Sequence, residues 1–268
     1  MSAALSVQSM GWGKQTFMMA AEAALQEAPR ADLYVFADTG HELQGTYEFI
    51  RQWEPWLRER GLNTVTVRAD NTDPVQTWHS QTDGVMIPAF TRDRATGEDG
   101  QVGRQCTMMW KIRPIRRFIR AELARRGLRA TPGIVESWQG ISFDEWQRMR
   151  TSDAKYITNR YPLVDRRITR AGCIAWLEGH GLPVPPKSSC TFCPFHSLGE
   201  WKRLKRAGGT DWREAVAVDA LVRDKRSKMA LYVHPGRKPL PEAVDIPEDH
   251  GAMQMELDGF CEGGHCGV

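Results

Sequence analysis

The stretch "PPKSSCTFCPFHS", Pro185 to Ser197, sets two cysteines three residues apart in a loop bounded by prolines. Thiols at that spacing, Cys190 and Cys193, can place two thiolates on one metal ion or act as catalytic thiols. A tetrahedral metal site needs two further ligands, and Cys106 and Cys173 are available. Cys106 follows the basic "VGRQ", which favours its thiolate. Cys173, within "AGCIAWL", reads as a ligand or as a buried packing residue. Cysteine spacing does not separate zinc from an iron–sulfur cluster. The last pair, Cys261 and Cys266, stands in the glycine-rich "DGFCEGGHCGV", which suits a thiol that visits a site and leaves again to be reduced. With His265 the same pair can instead form a second metal site, or none.

Six cysteines in 268 residues form a disulfide framework only in an oxidising compartment. No run of about eighteen apolar residues occurs, and "MSAALSVQSM" lacks the basic and apolar regions of a signal peptide. A cytoplasmic location with reduced thiols is therefore expected. Hydrophobic residues at 41% and charged ones at 26% exclude a disordered chain. The net charge of +3 is too mild to argue for nucleic acid, yet cations cluster in "KIRPIRRFIRAELARR" and "RRITR", where they can face phosphates. Arg120, Arg125 and Arg126 fit the solvated face of an amphipathic helix whose stripe is Ile115, Phe118, Ile119 and Leu123. Arg104, Lys111 and Arg113 crowd around Cys106.

The elements that must position these groups begin with "ALSVQS", "DLYVFAD" and "NTVTVRA" as strands, separated by the helical "KQTFMMAAEAALQEA" and "GTYEFIRQWEPWLRER". That alternation predicts an α/β fold: a parallel twisted sheet with flanking helices. The glycine- and aspartate-containing segment from Asp70 to Arg104 predicts a loop insertion. A strand is expected over Gly133 to Ile141 and a helix over Phe143 to Met149. The remainder reads as mostly helical ("TRAGCIAWLEGHG", "SLGEWKRLKRAG", "DWREAVAVDALVRDK"). One domain is expected, with residues 1–150 as a nucleotide-binding core and 151–268 as a helical, cysteine-bearing part ending in a mobile tail.

Directly after the first strand stands "SMGWGKQT". Its glycines let the backbone approach an anion at the helix N-terminus, which makes Ser9, Gly11, Gly13, Lys14, Gln15 and Thr16 candidates for phosphate binding. It is neither a Walker A loop nor the dinucleotide fingerprint. The second strand ends in "FADTGHE", so Asp38, Thr39 and Gly40 fall beside that turn at the carboxyl end of the sheet. His41 reads as an exposed loop residue. "WQGISFDEWQRM" puts Gly140 and Ser142 on the same side, with Asp144 and Glu145 suited to capping the next helix. Of the ten tryptophans, Trp53, Trp56 and Trp176 read as core, and Trp110 as core or as a platform for a base.

In these motifs and their order the chain resembles the phosphoadenylyl-sulfate (PAPS) reductase-like branch of the adenine nucleotide alpha-hydrolase-like (PP-loop) superfamily, in particular the proteins often carried by phages and prophages. "SMGWGKQT" is similar to a divergent PP-loop, "FADTGHE" to the family's "DTG" segment, and "QCTMMWKIRPI", "WQGISFDEWQRM" and the "YPLVDRRITRAGCIAWLEGHGLPVPPKSSCTFCPFHS" stretch to later family segments. The resemblance implies a HUP-like Rossmannoid fold and a bound adenine nucleotide, ATP or PAPS or adenylyl sulfate; Arg104 and Lys111, from the cations around Cys106, join the candidates for its phosphates. It also implies a [4Fe-4S] cluster on Cys106, Cys190 and Cys193, with Cys173 as fourth ligand or one iron left open, "QC" standing where adenylyl-sulfate reductases have a cysteine pair; Cys₄ zinc is the alternative. PAPS reductases similarly carry a nucleophilic cysteine near the C-terminus, which implies Cys266, or its neighbour Cys261, as catalytic, although here His265 precedes the cysteine.

Three functions follow as expectations: ATP-dependent, adenylating sulfur transfer to a nucleic acid or small acceptor; a PAPS- or adenylyl-sulfate-reducing oxidoreductase that releases sulfite; and a nucleotide-binding or zinc-stabilised protein without turnover. The partners expected are a sulfur-donor or thiol-reductant protein and, for the first reading, DNA or tRNA. No membrane is expected, and a homo-oligomer is compatible with the sequence.

Overall fold

The computed structural model describes residues 3–75 and 84–244. The chain opens β1 (Leu5–Ser9), α1 (Lys14–Ala24), β2 (Leu33–Asp38), α2 (Gln44–Glu59) and β3 (Thr64–Arg68). It continues through β4 (Ala89–Asp93) and β5 (Asp99–Val102) into a π-helical turn (Thr107–Ile112), α3 (Arg113–Arg125) and β6 (Val135–Trp138). A 3₁₀ helix (Phe143–Arg148), β7 (Ile157–Arg160), α4 (Pro162–Asp165), α5 (Arg170–Gly179), α6 (Leu198–Ala207), α7 (Thr210–Arg223), β8 (Met229–Tyr232) and α8 (Leu240–Ala243) complete it.

The main sheet has the order β3-β2-β1-β6-β7 and is parallel throughout. β2, "LYVFAD", is buried at every position, as a central strand covered by helices on both faces must be. The edge strands β3 and β7 alternate instead between covered and more exposed positions. From β1 the chain moves to β2 on one side and later returns to β6 on the other, so a crevice opens at the carboxyl ends of β1 and its neighbours. On one face, Phe17, Phe49, Leu57, Cys173 and Leu177 join α1, α2 and α5 in a core. On the other, Ile115, Ile119 and Leu123 of α3 pack on Leu5, Val7, Val35 and Val135.

The expectation of a loop between Asp70 and Arg104 is corrected in part. β4 and β5 form a hairpin, and β8 adds to it as the third strand of a small antiparallel sheet. The glycine and aspartates that suggested a loop build its turn: Gly97 has φ +75, and Asp93 Oδ1 accepts from Ala95 N and Thr96 N at 2.8 and 2.9 Å. The strand partner that orders it lies far along the chain, where no local pattern points to it. α6 and α7 close over this sheet, with Trp201, Leu204, Val218 and Leu231 in a third core. Buried Asp219 ties β8 and α8 to α7 by accepting from Val233 N and Leu240 N, both at 3.0 Å. Among the described residues, the part beyond residue 150 contributes five helices, α4 to α8, and also β7 and β8, which pair with β6 and β4. Among the described residues no helix is long and apolar enough to cross a membrane.

Candidate functional site

The turn between β1 and α1 is held open by its middle residue. Trp12 takes φ 56, a region in which a bulky side chain is strained. Its indole is buried and stacks on Phe17 at 6.4 Å between ring centroids, and that packing holds the turn. The flanking glycines face outward: a Cβ added at Gly11 or Gly13 would meet nothing within 4 Å. Gly13 caps α1 without a side-chain hydrogen bond, and no acidic residue stands in the helix's first turn, so this helix end favours an anion. Gln8, which the sequence reading did not single out, supports the turn from below through Nε2 to Thr16 O at 2.7 Å.

The exit of β6 presses on this turn. A Cβ at Gly140 would stand 2.5 Å from Thr16 Cγ2, so only glycine permits the approach. Ser142 is fully buried and Gln15 Nε2 reaches it at 3.5 Å and Glu145 Oε2 at 3.2 Å. Burial pushes the Glu145 carboxyl up, while Arg148 and Arg170 pull the other way. Asp144 and Glu145 stand in the first turn of the 3₁₀ helix, and neither caps it with a side-chain hydrogen bond. Instead Asp144 Oδ1 accepts from Arg170 N at 3.0 Å, at the first residue of α5.

These elements enclose a pocket of about 140 Å³. Ser9, Gly11, Gly13, Lys14, Gln15 and Thr16 line one side and Gly140 another. Lys111 lines it too, joined by Arg170 of the "RRITR" cluster and by Arg148 and Lys187. Lys187 was legible as the cation of "PPKSSC", and Arg170 as the last residue of "RRITR". Arg104 differs, because it faces a separate cavity and lies over the Phe195 ring.

Asp38, Thr39 and Gly40 stand behind the pocket as organisers. Buried Asp38 pairs with Arg68 and accepts from Gly40 N and Tyr47 Oη, each at 2.8 Å. Burial, with the Asp38 carboxylate adding to it, pushes the Tyr47 phenol up. Gly40 has φ +79, and past it the chain pairs with the cysteine loop: Leu43 N donates to Ser189 O at 3.0 Å and Thr191 N to His41 O at 2.8 Å, bridging Glu42 to Cys190. Thr39 Oγ1 lies 3.4 Å from Cys190 Sγ. Glu42, its side chain 0% exposed, receives Lys111 Nζ at 3.2 Å.

His41 is corrected from an exposed residue to a half-buried junction. Its ring lies against Trp110 and Phe192, with Nδ1 2.6 Å from Glu214 Oε1 and Nε2 2.9 Å from Thr72 O. Burial opposes its protonation, but Glu214 and the Thr72 carbonyl outweigh that and raise its pKa. Trp110 is buried in the core beside it.

Within the cysteine loop, His196 is pushed down to about 4 by burial, so its neutral ring donates from Nε2 to Cys190 O at 2.9 Å. Cys193 N donates to the same carbonyl at 3.1 Å. Cys106 and Cys190 pack against the core under the small sheet. Cys173 belongs to the core of α1, α2 and α5 on the main sheet, is 0% exposed, and has its thiol pushed up to about 12 by burial. The expected fourth ligand is thus a packing residue. Among the described residues no group of three or more His, Cys, Asp or Glu side chains is arranged to hold a metal ion, so neither a four-cysteine cluster nor a Cys₄ zinc fits the residues present. Cys261 and Cys266 lie outside the described residues.

No protein-family model and no curated protein matches the sequence. Among solved structures the chain is similar to a phosphoadenylyl-sulfate (PAPS) reductase from Candida auris in complex with phosphate, at a TM-score of 0.42 and 15% identity, over 67% of this chain and 74% of that one.

Proposed function

We propose that the chain binds an adenine nucleotide, ATP first of all, at the glycine turn and uses it to activate an acceptor for sulfur transfer from the Cys190–Cys193 loop. The observation that carries this reading is a shared wall: Lys187 and Ser188, which lead into Cys190, line the same pocket as Ser9, Gly11, Gly13 and Lys14. A triphosphate seated there meets the N-terminus of α1 and the cations Lys14, Lys111, Arg148, Arg170 and Lys187. The motif resemblance adds adenine and sulfur to that geometry.

The chemistry proceeds in balanced steps. An acceptor oxygen attacks the α-phosphorus, pyrophosphate leaves, and the acceptor carries AMP. A sulfur-donor protein delivers sulfane sulfur to Cys190 as a persulfide, whose terminal sulfur bonds to the acceptor carbon and displaces AMP. The Cys193 thiolate then attacks Cys190 Sγ, releases the acceptor as a thiolate, and leaves a Cys190–Cys193 disulfide that a thiol-reductant protein returns to two thiols. The Thr39 hydroxyl lies 3.4 Å from Cys190 Sγ, in a contact where either atom can be the donor. Cys261 and Cys266 enter as alternative carriers of the persulfide, and no step is assigned to a metal or cluster.

Products test the reading. With reduced protein, ATP, a persulfide donor and a pool of nucleic acid and small acceptors, pyrophosphate and AMP are expected, with Cys190 gaining one sulfur by peptide mass. Sulfite from PAPS without pyrophosphate from ATP would assign the site to a reductase. Binding of neither nucleotide would remove the proposal.

A further inference from the structure

A second cavity, about 290 Å³, lies between α3 and the β6–β7 edge of the sheet. Its floor is apolar, with Ile119 of α3 and Ile157 of β7, and Arg104, Arg116, Arg148 and Arg150 stand in its wall against the single acid Asp153, which pairs with Arg116. Arg116 Nε is buried and has no hydrogen-bond partner among the described residues. Ile115, Ile141 and Arg148 line this cavity and the nucleotide pocket alike. Arg148 donates to Glu145 Oε2 at 2.7 Å, the oxygen that Gln15 of the glycine turn also reaches. Thr107 and Met108, next after Cys106, line it too. The 3₁₀ helix that brings Arg148 to the wall also carries Phe143 and Trp146, 41% and 58% exposed.

We infer that this second cavity receives the acceptor, and that the acceptor is one nucleotide unit of a single nucleic-acid strand. The inference rests on the proposed function only in naming the ligand an acceptor. An apolar floor takes the flat face of a base, arginines take the flanking phosphates, and the exposed rings on the helix that carries Arg148 offer stacking surface to neighbouring bases. A small anion alone would leave the floor and the rings unused. A base inside a duplex cannot enter without being flipped out, so a single strand is favoured. The shared wall brings the acceptor next to the activated nucleotide, which sulfur transfer requires.

The test is fluorescence anisotropy of the full chain with a labelled single strand of about 15 nucleotides, its duplex, and inorganic phosphate as competitor at constant ionic strength. Arg150→Glu and Arg104→Glu are each expected to weaken single-strand binding about tenfold or more and to lower the salt slope by about one, and Trp146→Ala to weaken it severalfold. ATP affinity and thermal midpoint should match wild type; if a charge reversal fails to fold, Arg150→Gln replaces it, with a severalfold loss expected. Wild-type affinity in the folded variants, equal binding of the duplex, or displacement by phosphate alone would each overturn the inference. Strand binding without ATP binding would keep it while removing the nucleotide reading. ATP binding without strand binding would do the reverse.

Discussion

The glycine turn and the cysteine set were both read from short motifs, and the fold treats them differently. Every candidate from Ser9 to Thr16 that the turn supplied, with Gly140 from a strand far along the chain, meets in one pocket. Three of the four interior cysteines divide between two cores, Cys173 under α1 and α5 and Cys106 and Cys190 beneath the small sheet. A turn at the carboxyl end of a parallel strand is placed by the sheet itself. A thiol is small and apolar enough to serve as packing anywhere, so its spacing carries less positional information.

The comparison breaks most severely at Lys111, which lines the pocket and is the cation on the Glu42 carboxylate at the cysteine loop. Glu42 is 0% exposed, and Thr39 and Ser188 hydroxyls at 3.4 and 3.5 Å are weak substitutes for the ammonium. Lys111→Met is expected to cost about 3–5 kcal/mol in chemical denaturation and to weaken ATP binding. Lys111→Met with Glu42→Gln should recover most of the stability and none of the affinity. A single variant as stable as wild type would show that the pair does not hold the junction.

Two glycines of the site separate folding from binding. Gly140→Ala drives a methyl to 2.5 Å from Thr16 Cγ2 and should cost about 1–3 kcal/mol of stability. Gly13→Ala adds a methyl where the protein offers nothing within 4 Å, at φ −86, so stability should hold. A phosphate seated against the turn would meet that methyl, and ATP affinity should fall about tenfold, about 1.4 kcal/mol. Calorimetry on both variants checks the pair. Unchanged affinity in Gly13→Ala would move the phosphates away from the turn.

Cys173 sharpens the other half of the comparison. Cys173→Ala is expected to cost about 1 kcal/mol, as loss of one buried heavy atom, and to leave metal content and sulfur transfer as in wild type, whereas Cys190→Ser should abolish transfer. Alkylation at mild alkaline pH followed by intact mass gives a second readout: the thiol pushed up to about 12 should be the last of the described cysteines to react. Loss of bound iron or zinc from Cys173→Ala would restore it as a ligand.

What the sequence made legible follows the same division. The parallel order of β1, β2 and β3 and the strand-end turns rest on local periodicity and turn chemistry, which neighbouring residues encode. The β4–β5–β8 sheet was hidden because its partner strand is remote, and the positive φ of the turn fell on Trp12 because buried stacking on Phe17, a tertiary term, offsets the local strain. Arg148 carried no local signal, and only the 3₁₀ helix places it in the pocket wall. His41 looked like loop because its partners, Glu214 and the Thr72 carbonyl, come from elsewhere in the chain.

That histidine gives the smallest effect expected, at the seam between the two regions. Burial works against charge on both His41 and Glu214, yet their mutual contact raises the pKa of the histidine above 6.5 and lowers that of the glutamate below 4.5. For the raised histidine, the stabilisation is fully present below 6.5 and is lost as pH rises through its folded pKa; for the lowered glutamate, it is present above 4.5 and lost as pH falls through its folded pKa. The ion pair therefore contributes most between those two values. Glu214 is 36% exposed, and solvent screening keeps the contribution under about 1 kcal/mol. The difference in unfolding midpoint between wild type and Glu214→Gln, followed against pH, should peak in that window and shrink above it as His41 loses its proton. The same variant should loosen the cysteine loop, because Thr191 Oγ1 donates to Glu214 Oε2 at 2.9 Å, and so should raise the alkylation rate of Cys190 severalfold in the window while leaving Cys173 untouched. A difference that is flat with pH would mean that His41 stays neutral and that the seam is held by packing of its ring against Trp110 and Phe192.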